Sequence, residues 1–157
     1  MSREFAIASL ALWMGLAGSA PVAAKDKTPE QMEQQYDQEK SAKKRAEVAR
    51  NLMNARLEQL RSALESDTLL QESGPELRNY LAAVGRLGSA VREAHHAGTS
   101  KQSEMHLRSH LRELGNIKMD ISMSEQEILD PAIKQVSELR EGILYGILMP
   151  QGESAKQ

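Results

Sequence analysis

No cysteine occurs in the 157 residues, so neither a disulfide nor a thiolate metal site can be built. Aromatic residues make up only 3% of the chain: Phe5, Trp13, Tyr36, Tyr80 and Tyr145. With so few rings and no thiolate, a haem pocket is disfavoured. Excess charge of one sign is also missing, since 20 Lys and Arg stand against 22 Asp and Glu for a net charge of −2. A nucleic-acid binder usually carries a basic surplus, so nucleic acid is not expected as a partner. Thr occurs only at positions 28, 68 and 99, and no apolar–polar alternation lasts long enough for a strand. Gly-x-Ser-x-Gly, a phosphate-cradling Gly-rich loop and His-Glu-x-x-His are all missing, so an enzyme is not expected. What is present is a globular balance of 40% hydrophobic and 27% charged residues. That excludes wholesale disorder, collagen and a multi-span membrane protein.

The first segment reads as an address. Residues Phe5 to Ala24 carry no charge, and the run from Phe5 to Ala17 has the length of a signal-peptide core. Pro21 breaks a helix ahead of Val22-Ala23-Ala24, whose small side chains suit a signal peptidase, and Lys25 opens a charged chain. Residues 1–24 are therefore expected to be a signal peptide, cleaved near Ala24, which sends the protein to the periplasm or outside the cell. A retained anchor is the alternative, because 20 uncharged residues could just span a bilayer. Gly15, Gly18 and Pro21 weigh against it, so no membrane insertion is expected after cleavage. The remaining 133 residues keep the charge of −2, because Arg3 and Glu4 leave together. They lose the only Trp and the only Phe. A chain of that length can fold on packing alone.

From Lys25 onward the sequence reads as helices, with one domain over 25–150 and a disordered tail over 151–157. Thr28-Pro29-Glu30-Gln31 combines an N-cap, a proline in the first turn and capping-box spacing. No Gly or Pro follows until Gly74, and Ala42, Ala46, Ala49, Met53, Leu57, Leu60 and Leu64 recur at steps of three and four. This predicts a long first helix with a polar N-terminal third. Lys40, Lys43, Lys44 and Arg45 are flanked by acids, as on a solvated helix face. Ser73-Gly74-Pro75-Glu76 restarts a helix with Leu77, Leu81, Val84, Leu87 and Val91 on one face. Its interior glycines, Gly85 and Gly88, imply close approach of a neighbour, since each costs about 1 kcal/mol relative to Ala. Gly98-Thr99-Ser100 is expected to end it, and Ser103 to open a third helix facing inward through Leu107, Leu111, Leu114, Ile117 and Ile121. Ser124-Glu125-Gln126-Glu127 offers another capping box before a broad stripe from Ile128 to Leu148. The fold class is all-α: an up-down antiparallel bundle of about four helices with a long first helix.

All four histidines fall within 16 residues: His95, His96, His106 and His110. A connection over about Ala97 to Ser103 would bring the two pairs together. His106 and His110 stand at i, i+4 and Glu113 continues their stripe, the spacing at which two imidazoles can ligate one ion. His95, His96, His106, His110 and Glu113 are thus the candidate ligands for a transition metal; no other cofactor is indicated. The plainer alternative is that the histidines surround a helix hairpin, solvated or capping backbone groups, with His95 and His96 complementing a helix C-terminus.

The stretch from Met105 to Leu148, with His106-Leu107-Arg108-Ser109-His110-Leu111-Arg112-Glu113-Leu114 and then Ile128 to Leu148, resembles uncharacterised exported bacterial all-helical proteins. Those pair an Arg-rich, Leu-spaced helix with a closing acidic-aliphatic one. The resemblance implies helical export and carries no known activity. The chain also resembles small periplasmic helical stress chaperones, but their Leu-Thr-x-x-Gln repeats are missing. Three roles remain: a protein-binding or scaffolding module with a protein partner, a metal-binding bundle, and a periplasmic holdase chaperone.

Overall fold

A computed structural model describes residues 27–66 and 73–149. The proposed signal segment, residues 25–26, Pro150 and the tail over 151–157 lie outside the described residues. Five α-helices account for most of the chain: α1 (Pro29–Gln38), α2 (Ala42–Glu65), α3 (Ser73–Ala94), α4 (Ala97–Asp120) and α5 (Asp130–Leu148). A 3₁₀ turn at Gln126–Leu129 precedes α5, and no strand occurs among the described residues. The all-α class is therefore observed.

The start of α1 follows from its sequence. The Thr28 side chain accepts from the Gln31 N–H while the Gln31 side chain accepts from the Thr28 N–H, completing the capping box. The long first helix, however, is broken at Glu39–Ser41. Glu39 ends α1, its carboxylate accepts from the Ser41 N–H at 2.9 Å, and Ser41 caps α2. The gain from the break is burial. Folding back places Tyr36 in the core, its hydroxyl donating to the Arg86 carbonyl oxygen at 2.9 Å. The guanidinium carbons of Arg45 and Arg86 stand 5.9 and 5.8 Å from its ring centre. Arg56, itself buried in α2, holds α1 down through Glu30 at 3.3 Å and Glu33 at 3.0 Å. A straight helix through residue 40 would leave Tyr36 and Met32 in water.

Helices α2 and α3 pack antiparallel, with Arg45 paired to Glu93 at one end and Asn54 level with Tyr80 further along. Helices α4 and α5 form a second antiparallel pair, tied by Lys118 to Asp130 and by Glu104 to Arg140. The pairs meet where α3 lies along α5 and α2 along α4. Met53, Leu60, Leu87, Leu107, Leu114 and Val136 fill the interior. Close approach accounts for Gly88, where an added Cβ would stand 3.0 Å from Leu139. It does not account for Gly85, which has open space beside it.

Two boundaries differ from expectation. Gly98, Thr99 and Ser100 lie inside the first turn of α4, not at the end of α3, and Ser103 is buried within α4. The connection between α3 and α4 is only His95 and His96. The Ser124 capping box does not form either; Ser122 donates to Glu125 at 2.6 Å instead, and α5 opens at Asp130-Pro131 without a side-chain cap.

Candidate functional site

The candidate ligand set separates into three places. His95 and His96 form the exposed α3–α4 connector, with His95 in the left-handed region at φ 42°. His96 caps α4, its Nδ1 accepting from the Thr99 N–H at 3.2 Å. Its role is thus at an N-terminus, opposite to the expected C-terminal one. Gly98 leaves room for that ring, because a Cβ there would come within 2.9 Å of it and displace it. Ten residues on, roughly 15 Å along α4, stand His106, partly buried, and then His110, buried in the bundle. Glu113 is turned toward Arg61, 3.6 Å away on α2. The short connector leaves no loop to fold the two pairs together. Among the described residues, no three His, Cys, Asp or Glu side chains are grouped to hold a metal ion.

His106 and His110 do project from one face, with ring centres 4.4 Å apart. Both nitrogens of His110 are already engaged. Nε2 lies 2.9 Å from the Asn54 amide oxygen on α2, and Nδ1 lies 2.9 Å from the Tyr80 hydroxyl on α3. An amide oxygen only accepts, so Nε2 carries the proton and, in the neutral ring, Nδ1 accepts from Tyr80. No lone pair is left for a metal. The Tyr80 and His110 rings are also stacked at 5.8 Å. Burial, and then the neighbouring His106, push His110 down to about 3. Burial and the nearby Arg50 guanidinium push His106 down to about 4, and its Nε2 has no hydrogen-bond partner. Burial, and then the Glu113 charge, push the Tyr80 phenol up. All three side chains are neutral at pH 7. Chemically this is a tie between α2, α3 and α4.

A second buried group lies between α4 and α5. The Glu104 carboxylate accepts from Arg108 at 2.9 Å and from Arg140 at 2.9 Å. Burial would raise this carboxyl, but the hydrogen bonds and charges of the two arginines outweigh it and hold the group low. Sequence reasoning missed Tyr80, Asn54 and the Arg140 partner. Tyr80 did carry a signal, since it falls with Leu77 and Val84 on the apolar face of α3. Arg140 carried none, being 36 residues from Glu104.

A groove among the described residues lies elsewhere. An open groove of about 1130 Å³ runs between α3 and α5, walled by Val84, Val91, Leu139 and Ile143 and closed at one end by His95 and His96. Gly85, Gly142 and Gly146 floor it. The last turns of α5 expose Tyr145, Leu148 and Met149 at 68%, 74% and 60%, and Ile147, which also lines the groove, more modestly. No family model, curated protein or solved structure matches the chain.

Proposed function

We propose that this chain is an exported, periplasmic helical protein that binds another protein, and that it does so through the α3–α5 groove and the exposed end of α5. The observation that carries this reading is the groove itself, lined by Val84, Val91, Leu139, Ile143 and the partly exposed Ile147, together with Tyr145, Leu148 and Met149 exposed in the last turns of the same helix. Contiguous exposed apolar surface on a soluble domain marks an interaction site more often than a defect. The left-handed His95 at the groove's end fits the same reading, because strained backbone concentrates at functional positions. In the finer architecture we propose, α2 to α5 make a four-helix up-down bundle and α1 is a short buttress folded onto α2. A binding and scaffolding role asks nothing of a catalytic group, and the buried histidines and Glu104 hold helices in register. A metal-binding role would need His95 and His96 to act without His110, whose nitrogens are both occupied.

The test combines export and binding. Protein recovered from the cell envelope is expected to have an intact mass starting at Lys25 and tyrosine emission without tryptophan. A photocrosslinking residue at Leu148 is expected to capture one defined protein in the envelope, whereas the same residue at exposed Lys134 captures none. A mass retaining Trp13 with extraction only by detergent would make the domain a tethered one. Capture of many unrelated unfolded clients would favour the holdase.

A further inference from the structure

We propose that the bundle consists of two units, α1–α3 and α4–α5, which part along the seam between them by hinging at His95–His96, with His110 as the latch. This goes beyond the binding reading and stands without it. Each unit is closed within itself. Arg56 holds α1 through Glu30 and Glu33, the Tyr36 hydroxyl donates to the Arg86 carbonyl oxygen, and Arg45 pairs with Glu93. In the other unit Glu104 is shared by Arg108 and Arg140, and Lys118 pairs with Asp130. Helices α2 and α3, and likewise α4 and α5, pack on each other far more extensively than any helix does across the seam.

On one side the seam is parted already. The walls of the α3–α5 groove belong to different units, Val84 and Val91 to the first and Leu139 and Ile143 to the second. Beside the groove Gln135 donates to the Leu81 carbonyl oxygen at 3.1 Å. Between α2 and α4, Arg50 donates to Ser103 at 3.3 Å and to Gln102 at 3.4 Å, and Arg61 stands 3.6 Å from Glu113. His110 makes the shorter ties, and alone of these side chains it holds two helices of the opposite unit. It reaches α2 through Asn54 and α3 through Tyr80, each at 2.9 Å. The covalent link between the units is the two-residue connector, where His95 stands at φ 42°. Hinges are a few residues at element ends that absorb a change in φ and ψ, and strained backbone collects at such positions. Parting uncovers Leu87, Leu107 and Val136, so the closed form is the ground state and the open form a minor population.

Because the chain has no cysteine, single introduced thiols report the motion. Ser103→Cys on α4 and Val136→Cys on α5 place a thiol at fully buried positions of the second unit's inner side. Ala49→Cys places one inside the first unit, on the face of α2 that carries Arg45 one turn before it and Arg56 two turns after it. Labelling rates are taken in low urea, relative to each thiol's rate in the unfolded chain, on variants whose circular dichroism is helical. Both seam thiols are expected to react at least about tenfold faster than the Ala49→Cys thiol, and with a smaller urea dependence, because parting exposes only part of the buried surface. The three should converge in higher urea, where the whole chain unfolds. Tyr80→Phe, which breaks the latch on α3, is expected to raise both seam rates about tenfold. Equal rates and equal urea slopes for all three thiols would make the bundle one cooperative unit and overturn the proposal. Fast labelling of Ser103→Cys alone would mean that the start of α4 frays, which overturns it too. Seam rates indifferent to Tyr80→Phe would remove His110 as the latch.

Discussion

At the residue scale, the histidines do their work as neutral groups. His110 donates to Asn54 and accepts from Tyr80, so Tyr80→Phe removes the donor and strands a buried nitrogen. A loss of about 1–3 kcal/mol in urea unfolding is expected; a loss under about 0.5 kcal/mol would mean the hydroxyl contributes nothing. The same burial creates a pH dependence. His106 and His110 are held near 4 and 3 in the folded protein, against about 6.5 when unfolded. Between those values the unfolded chain binds more protons, so stability is full above pH 6.5 and falls as pH drops. The slope approaches about 1.4 kcal/mol per pH unit for each histidine. Urea midpoints at pH 7, 6 and 5 should fall in sequence, and His106→Gln with His110→Gln should flatten that trend. A wild-type midpoint constant over this range would place both imidazoles in water. The i, i+4 spacing made their shared face legible in the sequence. Their partners were not, since Asn54 is 56 residues from His110 and Tyr80 is 30.

At the scale of the helices, the ends carry information that periodicity alone did not. The α3–α4 connector works with two residues because His96 takes the capping role and Gly98 clears space for its ring. Gly98→Ala displaces the ring and loses the cap, a cost of about 1 kcal/mol that offsets the similar gain of alanine over glycine in a helix, so little net change is expected. Gly115→Ala, in the same helix beside open space, should instead stabilise by up to about 1 kcal/mol. Thermal unfolding of the two variants should separate, Gly115→Ala being the more stable, and equal shifts would contradict the cap. His95→Gly relieves a left-handed residue and should also stabilise, by about 1 kcal/mol. Between α4 and α5 the Glu104 carboxylate is shared by Arg108 and Arg140. Glu104→Ala leaves both guanidiniums without it, and about 1.5–3 kcal/mol should be lost. A neutral result would show that the pair of helices is held by apolar contact alone.

At the scale of the whole molecule, the helices close one core but leave one face open. The α2–α3 and α4–α5 pairs cover each other through Leu60, Leu87, Leu107 and Val136, while the far end of the α5 stripe runs past its neighbours. In the sequence, Ile128 to Leu148 reads as one broad apolar stripe. Its first half is buried at Leu129, Ala132 and Val136, and its end at Ile147 and Leu148 is in solvent. Periodicity reports that a face is apolar; it does not report whether anything lies against it.

By itself the sequence determined the helical state of this protein and most of its inward faces. Capping at Thr28, prolines confined to element ends and steps of three and four are local properties, readable within one or two turns. Tertiary structure alone decided the break at Glu39–Ser41, the two-residue turn at His95–His96, and the separation of the four histidines into a connector pair and an interior pair. Two of those choices are set by partners on other helices: Arg86 for Tyr36, and Tyr80 and Asn54 for His110. A local pattern specifies which side chains share a face. Which faces meet is a matter of burying Tyr36 and satisfying His110 and Glu104, and those energies exist only once distant helices are packed together.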